Sequence, residues 1–427
     1  MIATNDHDRA GRGLAILGAG PVGLEAALAA AEAGLPFTLY EAAEEPAAHV
    51  RAWGHVRLFS PWSLDVSPRM RRALAAEGRE APDGDRCPTG AELVERVLDP
   101  VARSPRVAPR LALGRRVVAV GREGLRKHRE IATPERGRRP FRLLVADRDG
   151  GESVERAAAV LDCTGTWGQP NSLGDGGIPA PGERELDGRI RRHLPDLAAE
   201  REEWAGRTVL LAGGGHSAQT ALRDLAALAA GAPGTRVVWV LPRAPETWTI
   251  DPDDPLPERR RLAEGARETA RTSPAVEVLA GARVEALAPA ESGRLRVTLG
   301  GAAAGRRLEV DRVLSLTGYL GDRDLHRQLQ VHQCYATEGP MKLSAALLGA
   351  GSADCLAQTS HGLEALTVPE PGFFILGAKS YGRVDTFLMR VGWQQVDEVM
   401  PAVAERLAAA AAADEAEAAP GSREAAG

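Results

Sequence analysis

The residues with the clearest chemical spacing in this sequence are glycines rather than acids, bases or nucleophiles. Gly18, Gly20 and Gly23 follow a short apolar run, residues 14–17, and open an alanine-rich stretch that runs to about Ala33 and stops at Gly34. A second apolar run, residues 37–40, ends on Glu41. In a strand–turn–helix–strand unit each glycine has its own reason: Gly18 for the tight turn, Gly20 so that backbone can approach a pyrophosphate, Gly23 so that helix and strand pack closely. The helix N-terminus offers unpaired N–H groups and a positive dipole end to phosphates. The Glu41 carboxylate can accept hydrogen bonds from an adenosine ribose. The pattern starts again at Thr208, where an apolar run leads into Gly213, Gly214, Gly215, His216, Ser217 and Ala218, then a helical stretch, then residues 237–241 and Pro242-Arg243. Ala218 fills the third position, which the fingerprint permits. Two such units predict two dinucleotide sites.

Other chemically capable residues are less patterned. His49, His55, His193, His216 and His361 show no metal-ligand spacing, and no metal site is expected. His216, in the first turn of the second helix, is placed to touch a phosphate. Cys87, Cys163, Cys334 and Cys355 form no CxxC, so no redox relay is expected, although folding can still bring Cys334 and Cys355 together. His49, Trp53, His55, Arg57, Phe59 and Trp62 crowd into residues 49–62 of a chain that is only 4% aromatic. Either this segment lines a cofactor's reactive ring, with Trp53 and Arg57 in the site, or its aromatics pack against their own domain.

These groups must be positioned by a framework that the sequence also outlines. Residues 89–98 read as a helix capped by Thr89, with Glu92 at the capping-box position. Apolar runs at 116–120, 141–146 and 157–161 form a meander that closes on Asp162-Cys163-Thr164-Gly165. After the second glycine unit, runs at 283–289, 295–301 and 308–316 repeat the meander and close on Thr317-Gly318. An internal repeat of one plan is stronger evidence than either motif alone. The expected fold is α/β with two Rossmann-like dinucleotide-binding domains, one inserted into the other. The boundaries read as 13–175, 176–320 and 321–402, with 1–12 and 403–427 as disordered or frayed termini. The net charge of −5 gives no reason to expect nucleic acid or an anionic membrane as partner. A polar N-terminus and the absence of a long apolar run read as a cytoplasmic protein. The arginine-rich span 103–142 reads as a solvated face of strands and loops.

The arrangement resembles the superfamily of flavoproteins with two dinucleotide-binding domains, which includes flavin-containing monooxygenases and pyridine nucleotide-disulfide reductases. The resemblance covers roughly residues 13–400. It implies that Gly18, Gly20, Gly23 and Glu41 hold the ADP half of FAD, and that Gly213, Gly215 and Ser217 hold NAD(P)H in the inserted domain. Thr164-Gly165 and Thr317-Gly318 resemble the strands that link the two domains. The run PGFFILGA, containing Gly377, resembles the strand that ends in Gly-Asp at the flavin ribityl chain, with Ala378 in place of the Asp. Gly188 and His193 stand where the monooxygenase signature belongs, one residue out of register and without its Phe. Arg243, where an NAD site usually has an acid, implies NADPH through its 2′-phosphate.

By this resemblance NADPH passes hydride to FAD, and the reduced flavin activates molecular oxygen as a C4a-(hydro)peroxide for a small nucleophilic substrate. Arg57 then sets the flavin's electronics, and His193 is the second catalytic candidate. A flavin reductase passing electrons to a quinone, metal, thiol or partner protein is the alternative, and a non-catalytic redox sensor the third reading. The substrate stays open, as does the oligomeric state, a homodimer included.

Overall fold

A computed structural model describes residues 13–131, 133–349 and 359–418. The expectation of disorder for residues 1–12 and the place of Cys355 lie outside these residues. In chain order the strands are β1 (Leu14–Leu17), β2 (Phe37–Tyr40), β3 (Leu111–Ala112), β4 (Arg115–Arg122), β5 (Phe141–Asp147), β6 (Glu152–Ala157), β7 (Ala159–Asp162) and β8 (Ile190–Arg191). They continue with β9 (Thr208–Ala212), β10 (Arg236–Leu241), β11 (Val276–Ala280), β12 (Ala282–Pro289), β13 (Leu295–Gly301), β14 (Arg307–Val310), β15 (Arg312–Ser315) and β16 (Phe373–Ile375). The helices used below are α1 (Pro21–Glu32), α2 (Ala48–Ala52), α3 (Gly90–Leu93), α4 (His216–Gly231), α5 (Pro257–Thr272), α6 (Ala378–Tyr381) and α7 (Met389–Ala418).

The chain divides into two compact units. The first takes the described residues of 1–54, 61–168 and 321–427, and the second takes His55–Ser60 and Gln169–Leu320. A five-stranded sheet in the first unit has the order β16-β7-β1-β2-β3, all parallel. Its central strand β1 is apolar and buried throughout, as a sheet covered on both faces requires. The antiparallel meander β4-β5-β6 belongs to the same unit. The second unit repeats the plan with a parallel sheet β11-β10-β9-β15-β8 and a meander β12-β13-β14. The strand β11 and the helix α5 have no glycine signature to mark them in the sequence.

One expectation changes. The arginine-rich span is not simply a solvated face, because Arg122 and Arg136 are buried. Both bind the Glu370 carboxylate, with Arg122 Nε at 2.6 Å and Arg136 Nη2 at 2.8 Å. Arg122 also lies 3.6 Å over the Phe141 ring. One buried carboxylate thus bridges two guanidiniums, and the carbonyls of Arg139, Pro371, Arg126 and Arg129 accept from their other N–H groups. The C-terminal region after residue 402 is helical as far as Ala418, and residues 419–427 lie outside the described residues. Val403 and Leu407 are buried and Arg406 Nε donates to Ala158 O at 3.0 Å, so packing carries the helix past Pro401.

Candidate functional site

Two glycine turns stand at the carboxyl ends of the two parallel sheets, built from equivalent atoms. In the first unit Gly18 N–H donates to Tyr40 O, and Cys163 N–H donates to Leu17 O. In the second unit Gly213 N–H donates to Val240 O, and Leu316 N–H donates to Ala212 O. Gly18 has φ +94 and Gly213 φ +121, both in the region that favours glycine. A Cβ on Gly18 would meet Cys163 O at 2.9 Å, and one on Gly213 would meet Leu316 O at 2.1 Å. A Cβ on Gly23 would lie 1.8 Å from Gly18 O, so α1 can sit against the turn only without one. Ala218 is buried in the equivalent position of α4.

Gly20, Gly214 and Gly215 differ from these. A Cβ on any of them would meet nothing within 4 Å. No described neighbour demands glycine there, and the helix N-terminus beside this open space offers N–H groups of the polarity an anion requires. The residues therefore fit a dinucleotide in each unit. Glu41 borders the first cradle, where its carboxylate accepts from Ala19 N–H at 2.8 Å and Ala43 N–H at 3.0 Å. In the second cradle Trp239 Nε1 donates to Gly213 O at 2.8 Å and Gln219 Nε2 to Gly214 O at 3.2 Å, while Ser217 is exposed on the first turn of α4. Arg243 is exposed just beyond the end of β10.

The segment 49–62 is divided between the two units. His49 on α2 packs against Trp167 with ring centroids 4.9 Å apart. The Trp53 ring covers Gly90, where a Cβ would come within 2.6 Å of Cε3, at the start of α3. Trp62 is buried in the first unit with Arg96 5.4 Å over its ring. His55–Ser60 belongs to the second unit, where Phe59 packs 5.0 Å from His216 and Arg57 is exposed. Trp53 and Arg57 are thus placed in different units. His193 stacks on Tyr319 at 5.4 Å with nearly parallel rings, and its Nδ1 lies 3.2 Å from the Tyr319 hydroxyl. Burial pushes that hydroxyl up to about 12, and it donates to Arg192 O at 2.8 Å.

The largest departure from the sequence reading lies under Thr164. Asp162, the last residue of β7, is fully buried and pairs with Lys379 Nζ at 2.6 Å. Thr164 Oγ1 donates to Asp162 Oδ1 at 2.7 Å and accepts from Lys379 Nζ at 3.2 Å. His326 Nδ1 sits 3.8 Å from Asp162 Oδ2, beyond hydrogen-bond reach. Burial alone would raise the Asp162 carboxyl, but the Lys379 charge and His326 outweigh it and hold it well below the ordinary carboxylate range. The sequence signals for this cluster are an acid ending an otherwise apolar strand and a lysine directly after FFILGA. Gly377, with φ +73, turns the chain into α6, which carries Lys379.

Among the described residues Cys87, Cys163 and Cys334 are free of disulfides. Burial, and then the Asp162 charge, push the Cys163 thiol upward. Hydrogen bonds from the Thr337 backbone and side chain lower the Cys334 thiol. No group of His, Cys, Asp or Glu suited to a metal occurs among the described residues, and no helix there is long and apolar enough to cross a membrane.

No protein-family model and no curated protein matches the chain. Solved structures do match over nearly its whole length. Bacillithiol disulfide reductase from Bacillus cereus is 18% identical, with a TM-score of 0.66 over 93% of this chain and 99% of that one. The FAD-bound cadaverine monooxygenase of desferrioxamine biosynthesis from Erwinia amylovora is 12% identical, with a TM-score of 0.61 over 93% and 94%. Ornithine hydroxylase from Pseudomonas aeruginosa is 18% identical, with a TM-score of 0.60 over 93% and 99%. The chain therefore has the fold of the flavoproteins with two dinucleotide-binding domains. The matched reductase and monooxygenases share that fold.

Proposed function

We propose that the chain is an FAD- and NADPH-dependent monooxygenase acting on a small substrate with a nucleophilic nitrogen, sulfur or similar atom. The duplicated cradle supports two dinucleotides, one accepting and one delivering electrons. FAD, when bound, supplies the two-electron redox centre and the site of oxygen chemistry. On this reading Gly18, Gly20, Gly23 and the N-terminus of α1 bind the FAD pyrophosphate, and Glu41 orients its ribose. Thr164, Gly165 and Gly377 bring backbone up to the rest of that ligand. Gly213, Gly215 and Ser217 hold the NADPH phosphates, with Arg243 on the 2′-phosphate. His193, the second catalytic candidate, is held by its stacking on Tyr319. Arg57 is the candidate for setting the flavin's electronics.

The observation that carries oxygen chemistry over thiol chemistry is the state of the cysteines. The sequence has no CxxC, and Cys163, beside the first cradle, is kept a buried thiol. A dithiol relay needs two close sulfurs. The test is to reduce the FAD-loaded protein with NADPH and mix it with oxygenated buffer without substrate. A transient near-ultraviolet band before oxidised flavin returns is expected. Direct return at several pH values, with NADP⁺ saturating, would remove the monooxygenase reading.

A second reading is a disulfide or related reductase. It is favoured by the lowered Cys334 thiol and by the match to bacillithiol disulfide reductase. Rapid NADPH-dependent reduction of a low-molecular-weight disulfide, lost in Cys334→Ser, would establish it.

A further inference from the structure

The two glycine turns are copies of one plan, and the residues beneath them differ in a way the fold does not require. Gly18 N–H donates to Tyr40 O and Gly213 N–H to Val240 O, so Leu39 on β2 and Trp239 on β10 are counterparts. Leu24 N–H donates to Gly20 O as Gln219 N–H does to Gly215 O, so Leu24 on α1 and Gln219 on α4 are counterparts as well. All four residues are buried. Leucine completes both places in the first unit. In the second unit the same places hold an indole and an amide, and each donates to the turn, Trp239 Nε1 to Gly213 O at 2.8 Å and Gln219 Nε2 to Gly214 O at 3.2 Å. Gln219 Oε1 is left buried without a hydrogen-bond partner, a cost to stability that leucine would avoid.

The two donors decide which way the turn's peptide groups face. In a planar trans peptide the N–H points opposite to the carbonyl before it. With the Gly213 and Gly214 carbonyls drawn onto Trp239 and Gln219, the N–H groups of Gly214 and Gly215 point away from those side chains. Neither N–H has an acceptor among the described residues. The first turn is held differently. Ala19 O accepts from Ala47 N–H at 3.0 Å, and Ala19 N–H, the counterpart of Gly214 N–H, is taken by Glu41 at 2.8 Å. The helix contact differs too. A Cβ on Gly23 would lie 1.8 Å from Gly18 O, yet its counterpart Ala218 carries one. The Gly213 carbonyl must therefore lie off the helix, and the Trp239 indole is the group that holds it there.

We propose that Trp239 and Gln219 are positioning residues of the second cradle, aiming the Gly214 and Gly215 N–H groups at the diphosphate of a nicotinamide dinucleotide. The inference rests on the reading of this unit as the NADPH domain. Gly213, Gly214 and Gly215 in succession form the least constrained backbone available, and untethered they would visit many conformations. Trp239 and Gln219 exclude those in which a turn carbonyl faces the phosphates. The turn is thus ordered before the ligand arrives, and binding does not bear that entropy. The anion takes up two backbone donors that the protein leaves unpaired, together with the N-terminus of α4.

The test follows the bleaching of bound FAD by NADPH, without oxygen, in a stopped-flow instrument over a range of NADPH concentrations. Gln219→Met keeps the length of the side chain and removes both the donor and the unpaired acceptor. The half-saturating NADPH concentration is expected to rise about tenfold. The limiting rate at saturation should stay within about threefold of the parent, as loss of binding alone requires. The urea midpoint should stay level or rise, because water reaches the half-buried Gly214 and a buried unpaired oxygen is gone. Trp239→Phe removes the indole donor and is expected to raise half-saturation by a similar factor at the same limiting rate. FAD affinity, read by flavin fluorescence, should change by less than about threefold in both variants, since both residues lie in the second unit. A folded Gln219→Met that half-saturates within about twofold of the parent would overturn the proposal. So would a rise matched by falls in the limiting rate and the urea midpoint, which marks a merely structural role. Unaltered protein whose bound FAD is not bleached by NADPH would overturn the NADPH reading itself, and the proposal with it, before any variant is made.

Discussion

At the scale of single residues, the charges buried in the first unit answer to pH in a direction set by their partners. Burial works to raise the folded-state pKa of Asp162, and the Lys379 charge more than reverses it, leaving it lowered. Its contribution to stability is therefore complete above the ordinary carboxylate range and is lost as pH falls through the lowered folded value. An Asp162→Asn/Lys379→Met double variant, which leaves no unpaired charge, should show a flatter fall of unfolding free energy below about pH 4. Urea denaturation at a series of acid pH values measures this, and parallel curves for variant and parent would exclude the pair as a source of acid lability. Arg243 is the opposite case, an exposed guanidinium proposed to bind the NADPH 2′-phosphate. A charge-assisted hydrogen bond contributes about 1.5–3 kcal/mol, roughly 10- to 150-fold in affinity. Arg243→Ala should lower the NADPH/NADH ratio of kcat/KM by that factor. An unchanged ratio would assign the 2′-phosphate elsewhere.

At the scale of elements, the glycines of one turn separate into those the fold needs and those a ligand needs. Gly23→Ala would drive a Cβ to 1.8 Å from Gly18 O. It should cost about 3 kcal/mol or more, since the contact is with backbone on both sides. Gly20→Ala has open space and an ordinary φ of −81, so stability should stay within about 1 kcal/mol. FAD affinity should nonetheless fall by about tenfold or more, or about 1.4 kcal/mol. A Gly20→Ala protein that binds FAD normally would mean that no phosphate approaches that backbone. This local logic is why β1, β2 and both turns are legible in the sequence: strand, turn and helix each leave a mark within residues 14–41 and again within 208–241. The pairing of Asp162 with Lys379 is not legible, because the partners are 217 positions apart and a buried ion pair has no periodicity. Glu370 hides for the same reason, and the arginines it binds read as surface until their partner is known. The division of the aromatic segment 49–62 is not legible either, because a density of rings says nothing about which unit each ring enters.

At the scale of the whole molecule, each unit has its own sheet, its own apolar core and its own cradle, so two dinucleotides should leave separate footprints. Leu17, Tyr40, Phe141 and Phe373 pack together within the first unit, and Leu210, Val238, Val297 and Val313 within the second. A ligand stabilises the conformation that carries its site by RT ln(1 + [L]/Kd), about 2.7 kcal/mol at a hundredfold excess over Kd. That free energy slows the local openings through which amide hydrogens exchange, and it acts first on the segments whose N–H groups form the site. FAD should therefore protect β1, the Gly18 turn, the start of α1 and residues 162–165 by roughly tenfold to a hundredfold in exchange rate. NADPH should protect β9, the Gly213 turn and the start of α4, and leave the first set largely unchanged when FAD is already bound. Hydrogen exchange read by mass spectrometry on peptides from the two segments distinguishes the cases. Protection by NADPH confined to the Gly18 turn would exchange the two assignments, and protection by FAD at neither turn would mean that the duplicated cradles do not hold the flavin at all.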